Sequence, residues 1–166
     1  HSTGGAIYPG TCRTLPNSTR QGRIDAGDAF AFRIDIAEAI DKAGPLTWAS
    51  ADEKGETTEI QATPEIYGDV VLAPKDVPTS YHLACTLDDH LQGITLISRG
   101  EDLAAATHVH RLLQALLDLD TPTYHHHSLL TDDTGKRFAK RDNSFTLRSL
   151  RADGMTAEEV KAMAFP

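Results

Sequence analysis

The order of apolar segments between residues 69 and 130 constrains the fold of this chain more than any other feature. Five segments alternate between strand and helix patterns: 69–73, 81–90, 94–97, 105–117 and 124–130. The fourth carries apolar residues at spacings of three and four, which is typical of a helix packed on one side. Because strands that alternate with helices usually pair in parallel, we predict an α/β fold with a parallel sheet.

The remaining segments predict a more irregular structure. Residues 1–22 are rich in Gly, Pro, Ser and Thr and are predicted to be loop. Residues 28–36 alternate large apolar with small or polar residues, as in a half-buried strand, and residues 44–68 predict hairpins. After a turn at 132–135, two short helices are predicted near 144–152 and 156–163.

Two side chains are candidates for helix caps. Asp102 stands just before the helical pattern at 105–117 and is predicted to cap it. Thr156 and Glu159 have the spacing of a capping box, so we expect them to begin the last helix.

Length, cysteine content and charge narrow the class of protein. The chain has 166 residues, which fits one domain, and it lacks an apolar stretch of about 20 residues that a membrane span needs. It carries only two cysteines, Cys12 and Cys85, and we see no signal peptide, so we expect a reduced, cytoplasmic protein.

The net charge is −8, yet residues 136–151 alone carry +5. This distribution favours a specific anion site over general binding of nucleic acid.

The basic loop at 135–141 (GKRFAKR) is one candidate anion site. Cations on a loop suit a triphosphate, whose leaving oxygens gain charge during phosphoryl or nucleotidyl transfer. The alternative is a solvated run of surface charge, which is common in proteins.

Arg99 is the second candidate, since it follows a short strand and precedes a helix, where open α/β sheets bind ligands. Its guanidinium could clamp a carboxylate with two parallel hydrogen bonds. The alternative is an ion pair with Asp102 or a neighbouring carboxylate. Asp88 and Asp89 diverge on a helix, so we expect Asp88 to be solvated or capping and leave Asp89 open.

The histidines do not have the spacing of a zinc site. On a strand, His125, His126 and His127 would alternate between two sides, and on a helix His108 and His110 would point apart. Neither group matches a pattern such as H-x3-H. We therefore do not expect either group to bind a metal, and we expect a free, buried thiol at Cys12.

Ordered motifs between residues 64 and 145 resemble one known family. These motifs are 80–84 (SYHLA), 87–89 (LDD), 92–95 (QGIT), 99–103 (RGEDL), 124–127 (YHHH) and 135–140 (GKRFAK). Their combination resembles the second half of the catalytic domain of glutamyl-type class I aminoacyl-tRNA synthetases. Residues 8–13 (YPGTCR) are similar to the second zinc half-site of one short branch of that family, the glutamyl-Q tRNA(Asp) synthetases, which lack an anticodon-binding domain.

The resemblance implies an organisation in four parts. They are the remnant of a zinc-binding subdomain (1–22), a β-rich inserted region (23–68), the second half of a Rossmann-type catalytic domain (69–130), and a KMSKS-like loop with C-terminal helices (131–166). The half of the catalytic domain that contains the HIGH-type signature is missing from the sequence. We therefore expect the chain to be the C-terminal portion of a larger catalytic unit.

The resemblance also implies a ligase reaction. Glutamate would attack the α-phosphate of ATP, with Mg²⁺ bound to ATP and without tRNA, to form glutamyl-adenylate. The glutamyl group would then pass to queuosine in the anticodon of tRNA(Asp). Glutamate, ATP and this tRNA are the expected partners of a monomer that does not bind membranes, and this chain alone is expected to be inactive.

Roles for individual residues follow from the same resemblance. Tyr81 and Arg99 would bind glutamate. Lys140 would be the catalytic residue that holds the ATP phosphates, with Arg137 and Arg141 beside it, although the motif RFAKR keeps only Lys140 of the usual pattern. Tyr8 and Cys12 would be zinc ligands in the intact protein. Because two ligands cannot complete four-coordinate zinc, we expect little or no metal in this chain alone.

Two other functions remain open at this point. The chain could be a catalytic fragment of a glutamyl-tRNA synthetase that charges tRNA(Glu). It could also be a truncated paralogue that binds tRNA without catalysis, since half of the ATP site is missing.

Overall fold

The structure of the chain is a computed structural model that describes residues 7–131 and 146–164. The chain divides into two compact units, 1–127 and 128–166. No helix in the described ranges is long and apolar enough to cross a membrane.

The first unit contains four α-helices and six strands among its described residues. The helices are α1 (Asn17–Asp25), α2 (Ile36–Ala43), α3 (Tyr81–Leu91) and α4 (Ala106–Leu116). The strands are β1 (Phe32–Arg33), β2 (Thr47–Ala51), β3 (Thr57–Gln61), β4 (Val71–Ala73), β5 (Leu96–Gly100) and β6 (Thr123–His127). Short 3-10 helices at Pro64–Tyr67 and Glu101–Leu103 connect them.

A four-stranded sheet with the order β3-β2-β6-β5 forms the centre of this unit. Strands β2 and β3 form an antiparallel hairpin, whereas β6 pairs in parallel with both β2 and β5. The predicted α/β fold with parallel pairing is therefore confirmed, and the predicted strands at 94–97 and 124–130 shift by a few residues.

The predicted strand at 69–73 does not join the parallel sheet. Its residues form β4, which pairs antiparallel with β1 in a separate two-stranded sheet. Side-chain contacts hold this pair in place, because Asp69 accepts a hydrogen bond from the Ile36 amide at 3.1 Å and forms an ion pair with Arg13. The Arg33 guanidinium also donates to the Asp69 carbonyl at 2.7 Å.

The irregular regions contain two helices that the sequence reading missed. The loop prediction for residues 1–22 is wrong at its end, since α1 begins directly after Pro16, a residue that fits the first turn of a helix. The strand predicted over 28–36 is reduced to β1. Asp35 instead caps α2 by accepting a hydrogen bond from the Glu38 amide, so the chain turns helical at Ile36.

Helix α4 contributes more buried apolar residues than any other element of the described ranges. Leu112 packs with Ile36 and Ala39 of α2, while Val109 and Leu113 pack with Val70 in a second cluster. Ile34 contacts both clusters. The predicted apolar face of 105–117 is therefore the face that forms the core.

The start of α4 corrects the predicted cap. Asp102 lies in the 3-10 helix Glu101–Leu103, and α4 begins at Ala106 after Ala105, which has no side chain able to cap. The 3-10 turn supplies the first hydrogen bonds instead, as the Thr107 amide donates to the Ala104 carbonyl at 3.1 Å.

The described part of the second unit contains α5 (Leu147–Ala152) and α6 (Ala157–Ala164), close to the predicted bounds. Thr146 and Ser149 form a reciprocal capping box for α5. The predicted box of α6 is confirmed, since Glu159 accepts from the Thr156 amide and donates its own amide to the Thr156 hydroxyl.

Truncation of Leu112 should destabilise the first unit strongly. Leu112 is 0% exposed and contacts α2, so Leu112→Ala should lower the free energy of unfolding by about 2–5 kcal/mol through lost burial and a cavity. Leu117→Ala, just beyond the same helix at 46% exposure, is the control and should cost far less. Urea denaturation followed by circular dichroism measures both, and equal losses would contradict this account of the core.

Candidate active site

Arg99 lies near the carboxyl end of β5, within the strand rather than after it. This end of a parallel sheet is where ligands bind in open α/β folds. Its neighbour in the sheet is His126 of β6, and Thr107 and His110 approach from α4. The four side chains form one group, which we call the Arg99 cluster.

The Arg99 cluster holds each nitrogen of the guanidinium. Nε donates to His126 Nε2 at 3.3 Å, Nη1 lies 3.2 Å from His110 Nδ1, and Nη2 donates to the Thr107 hydroxyl. The guanidinium carbon also lies 5.1 Å from the centre of the Tyr124 ring. Each Nη carries a second hydrogen that these contacts do not use, so the group retains donors for a ligand.

The partners of Arg99 in this cluster are a hydroxyl and two imidazoles. Burial, together with the charge of Arg99, lowers the pKa of His110 to about 3 and that of His126 to about 4. Both rings are therefore neutral near pH 7, and none of these three hydrogen-bond partners carries a negative charge.

Tyr81 is brought to the same place by the start of α3. The Ser80 hydroxyl caps this helix by accepting from the Leu83 amide at 3.4 Å, so Tyr81 is its first residue. The Tyr81 ring is 52% exposed and lies edge-on to the ring of His110, with 5.7 Å between centres. Partial burial raises the pKa of its hydroxyl, and the Arg99 charge opposes that rise. The structure thus brings together the two residues predicted to bind glutamate.

Further titratable groups of α3 surround this position. Cys85 Sγ lies 3.7 Å from His110 Nε2, and burial raises the pKa of its thiol. Asp89 is half-buried and Asp88 is exposed, as the predicted divergence on a helix requires. Burial raises the pKa of the Asp89 carboxyl, against the attraction of Arg99.

Neighbouring histidines point in different directions, as their positions predict, but His110 and His126 have a role that the sequence did not reveal. His108 points to the Thr63 amide and His125 to the Ala51 carbonyl, whereas His110 and His126 contact Arg99. The sequence reading weighed these residues only as metal ligands. The spacing of three between Thr107 and His110, on the helix after Arg99, was the available signal.

The predicted zinc half-site does not provide enough ligands in the described ranges. The Cys12 amide donates to the Tyr8 hydroxyl at 2.8 Å, so both residues belong to one turn, and the free Cys12 thiol is exposed rather than buried as predicted. Residues 7–131 and 146–164 contain no group of three or more His, Cys, Asp or Glu side chains that could hold a metal ion. Tyr8 and Cys12 alone do not fit four-coordinate zinc.

The predicted ATP-binding residues Arg137, Lys140 and Arg141 lie outside the described residues. Their roles, like those of Tyr81 and Arg99, stay predictions.

Comparison with known proteins places the chain in a family. The family model for the catalytic domain of class I tRNA synthetases (E and Q) matches residues 8–163. A glutamyl-Q tRNA(Asp) synthetase of Rhodobacter capsulatus is 42% identical over 162 residues, which cover 96% of this chain and 56% of that protein. Another from Nocardia farcinica is 32% identical and is covered to 46%. The chain thus spans about half the length of the curated relatives it matches.

Solved structures agree on the fold. The glutamate-tRNA synthetase of Elizabethkingia anophelis matches with a TM-score of 0.60 at 23% identity, over 82% of this chain and 27% of that one. Among the curated sequence relatives, a glutamate–tRNA ligase of Methylococcus capsulatus is 31% identical over 162 residues, which cover 94% of this chain and 32% of that protein. The chain therefore belongs to the family of class I tRNA synthetases (E and Q), within their catalytic domain.

Proposed function

We propose that the protein containing this chain activates glutamate with ATP and transfers it to queuosine in the anticodon of tRNA(Asp). The Arg99 cluster is the observation that carries this proposal, because it holds a guanidinium by a hydroxyl and two imidazoles at the ligand-binding end of a parallel sheet. The names of the most similar curated relatives support the tRNA(Asp) substrate. Because the chain spans about half of those relatives, we propose that it is inactive alone.

In the first step, an oxygen of the glutamate α-carboxylate attacks the α-phosphorus of ATP. A phosphorus–oxygen bond forms, the bond to the β-phosphate oxygen breaks, and pyrophosphate leaves with its electron pair. Arg99 binds the side-chain carboxylate through the second hydrogens on Nη1 and Nη2, and the exposed Tyr81 ring lies beside this position. This contact fixes the orientation of glutamate but takes no part in bond breaking.

The phosphates of ATP need cations of their own. We propose that Lys140 holds them as pyrophosphate leaves, with Arg137 and Arg141 beside it, and that Mg²⁺ bound to ATP neutralises the developing charge. Tyr8 and Cys12 serve as a zinc half-site only where further ligands complete it. We place this reaction in the cytoplasm and in a monomer.

Removal of the Arg99 charge should weaken glutamate binding. Arg99→Gln loses a charge-assisted pair, so the KM for glutamate in tRNA-free ATP–pyrophosphate exchange should rise about 10- to 100-fold. The KM for ATP should stay near its original value. Arg23→Gln, a change on the exposed helix α1, is the matched control. An unchanged glutamate KM in Arg99→Gln would remove Arg99 from the site.

The KM for glutamate should not change with pH in the range where an ordinary histidine titrates. Protonation of His110 or His126 would remove an acceptor of the Arg99 guanidinium and repel it, which would displace the guanidinium and raise the KM for glutamate on acidification. Because their pKa values lie at about 3 and about 4, that rise falls below the assay range. The KM should therefore be flat between about pH 6 and pH 8, where an ordinary imidazole titrates. An inflection near pH 6.5 would show that a ring of the cluster is charged.

The tRNA substrate separates the proposed function from its two alternatives. Labelled glutamate should be transferred to tRNA(Asp) that carries queuosine and not to the same tRNA without it. Label on the 3′ end of tRNA(Glu) would favour a glutamyl-tRNA synthetase, a reading that relatives named glutamate–tRNA ligase at 29–31% identity keep open. Binding of tRNA with no glutamyl-adenylate from the natural-length protein would favour a non-catalytic paralogue.

A further inference from the structure

Behind Arg99 lies a pair of buried imidazoles that the proposed reaction does not use directly. His110 Nε2 is 3.0 Å from His82 Nδ1, and the two side chains come from α4 and α3. We propose that His110 is a positioning residue for the Arg99 guanidinium and that His82 fixes the tautomer this role requires. The inference rests on the proposed function in one respect, namely that Arg99 binds glutamate.

The direction of these hydrogen bonds follows from the chemistry of Arg99. A guanidinium can only donate, so His110 Nδ1, 3.2 Å from Nη1, must carry no proton. A neutral His110 then bears its proton on Nε2 and donates it to His82 Nδ1. His82 in turn carries its own proton on Nε2. One arginine thus determines the tautomers of two histidines.

Burial keeps this chain of hydrogen bonds neutral. His110 is 2% exposed and His82 is 7% exposed, so water solvates a charge on either ring poorly. The titratable or charged groups that face His110 are Arg99 on β5 and the side chains Tyr81, His82 and Cys85 on α3. Desolvation and the Arg99 charge both act against a proton on Nδ1, and lower the pKa of His110.

Three contacts together define the plane of the guanidinium. His126 accepts from Nε, Thr107 accepts from Nη2, and His110 accepts from Nη1. The Thr107 hydroxyl oxygen also lies 3.1 Å from His126 Nε2, so these two side chains hold each other in place. His110 has no such link to them, and its orientation depends on His82 across the gap between two helices. A carboxylate binds a guanidinium in its plane, so loss of His110 should misalign that plane and weaken glutamate binding.

The first test compares an apolar and a polar replacement in the natural-length protein. His110→Leu leaves Nη1 without its acceptor, and the KM for glutamate in ATP–pyrophosphate exchange should rise about 5- to 20-fold. The values of kcat and of the KM for ATP should change little. His110→Gln keeps an acceptor and a donor, and should restore most of the glutamate affinity.

His108→Gln is the matched control, because it changes an imidazole two residues away on α4, on a different side of the helix, that faces Thr63. It should leave the glutamate KM unchanged. A loss of the same size in His108→Gln, or no effect of His110→Leu, would overturn the positioning role.

The second test measures the tautomers in the unaltered protein and does not require a variant that folds. In ¹⁵N-labelled protein at neutral pH, two-bond nitrogen–proton spectra should show His110 with an unprotonated Nδ1 and a protonated Nε2, and His82 with the same tautomer. A protonated Nδ1 on His110 would overturn the inference.

Arg99→Gln, measured alongside, separates the two proposals. If this variant leaves the glutamate KM unchanged, the role of Arg99 in the proposed function fails. The effect of His110 on glutamate binding then fails as well, but the tautomer measurement still tests the hydrogen bonds. If Arg99→Gln weakens glutamate binding and His110→Leu does not, only the positioning role fails.

Discussion

The burial of helix α4 is the constraint on which both the core and the candidate site depend. Its apolar side supplies Val109, Leu112 and Leu113 to two hydrophobic clusters. Two of its buried polar residues, Thr107 and His110, point to Arg99, and a third, Gln114, donates to the Tyr124 hydroxyl. Because polar side chains are costly to bury without partners, the same packing that forms the core makes Thr107 and His110 depend on their hydrogen-bond partners, which include the guanidinium.

The fold could be predicted where residue spacing alone decides the structure. The face of α4 and the parallel neighbours β5 and β6 follow from apolar periodicity and from alternation along the chain. The partner of β4 could not be predicted, because a short apolar run fits either sheet. Contacts of Asp69 with Arg13 and Ile36, far apart in sequence, accompany its pairing with β1. Helix α2 was missed since its start depends on the cap at Asp35.

The sequence predicts the two residues that we propose bind the ligand, but not the side chains that support them. Arg99 and Tyr81 were named from the motifs that carry the family resemblance, and the structure brings them together around His110. The sequence considers His110 and His126 only for the spacing of a zinc site. Their hydrogen bonds to Arg99 join residues of three separate elements, α4, β6 and β5, so spacing within one segment could not reveal the whole group.

The position of β5 at one end of the described sheet has a mechanical consequence for the cluster. Its neighbour β6 pairs with it on one side, and no other strand of residues 7–131 and 146–164 pairs with its other side. Strand pairing sets the twist of a sheet. Arg99 stands on this strand, so any polypeptide segment that adds to the edge changes the twist of the backbone that carries the guanidinium. Extension of the sheet at this edge and the orientation of the Arg99 guanidinium are therefore coupled through one strand.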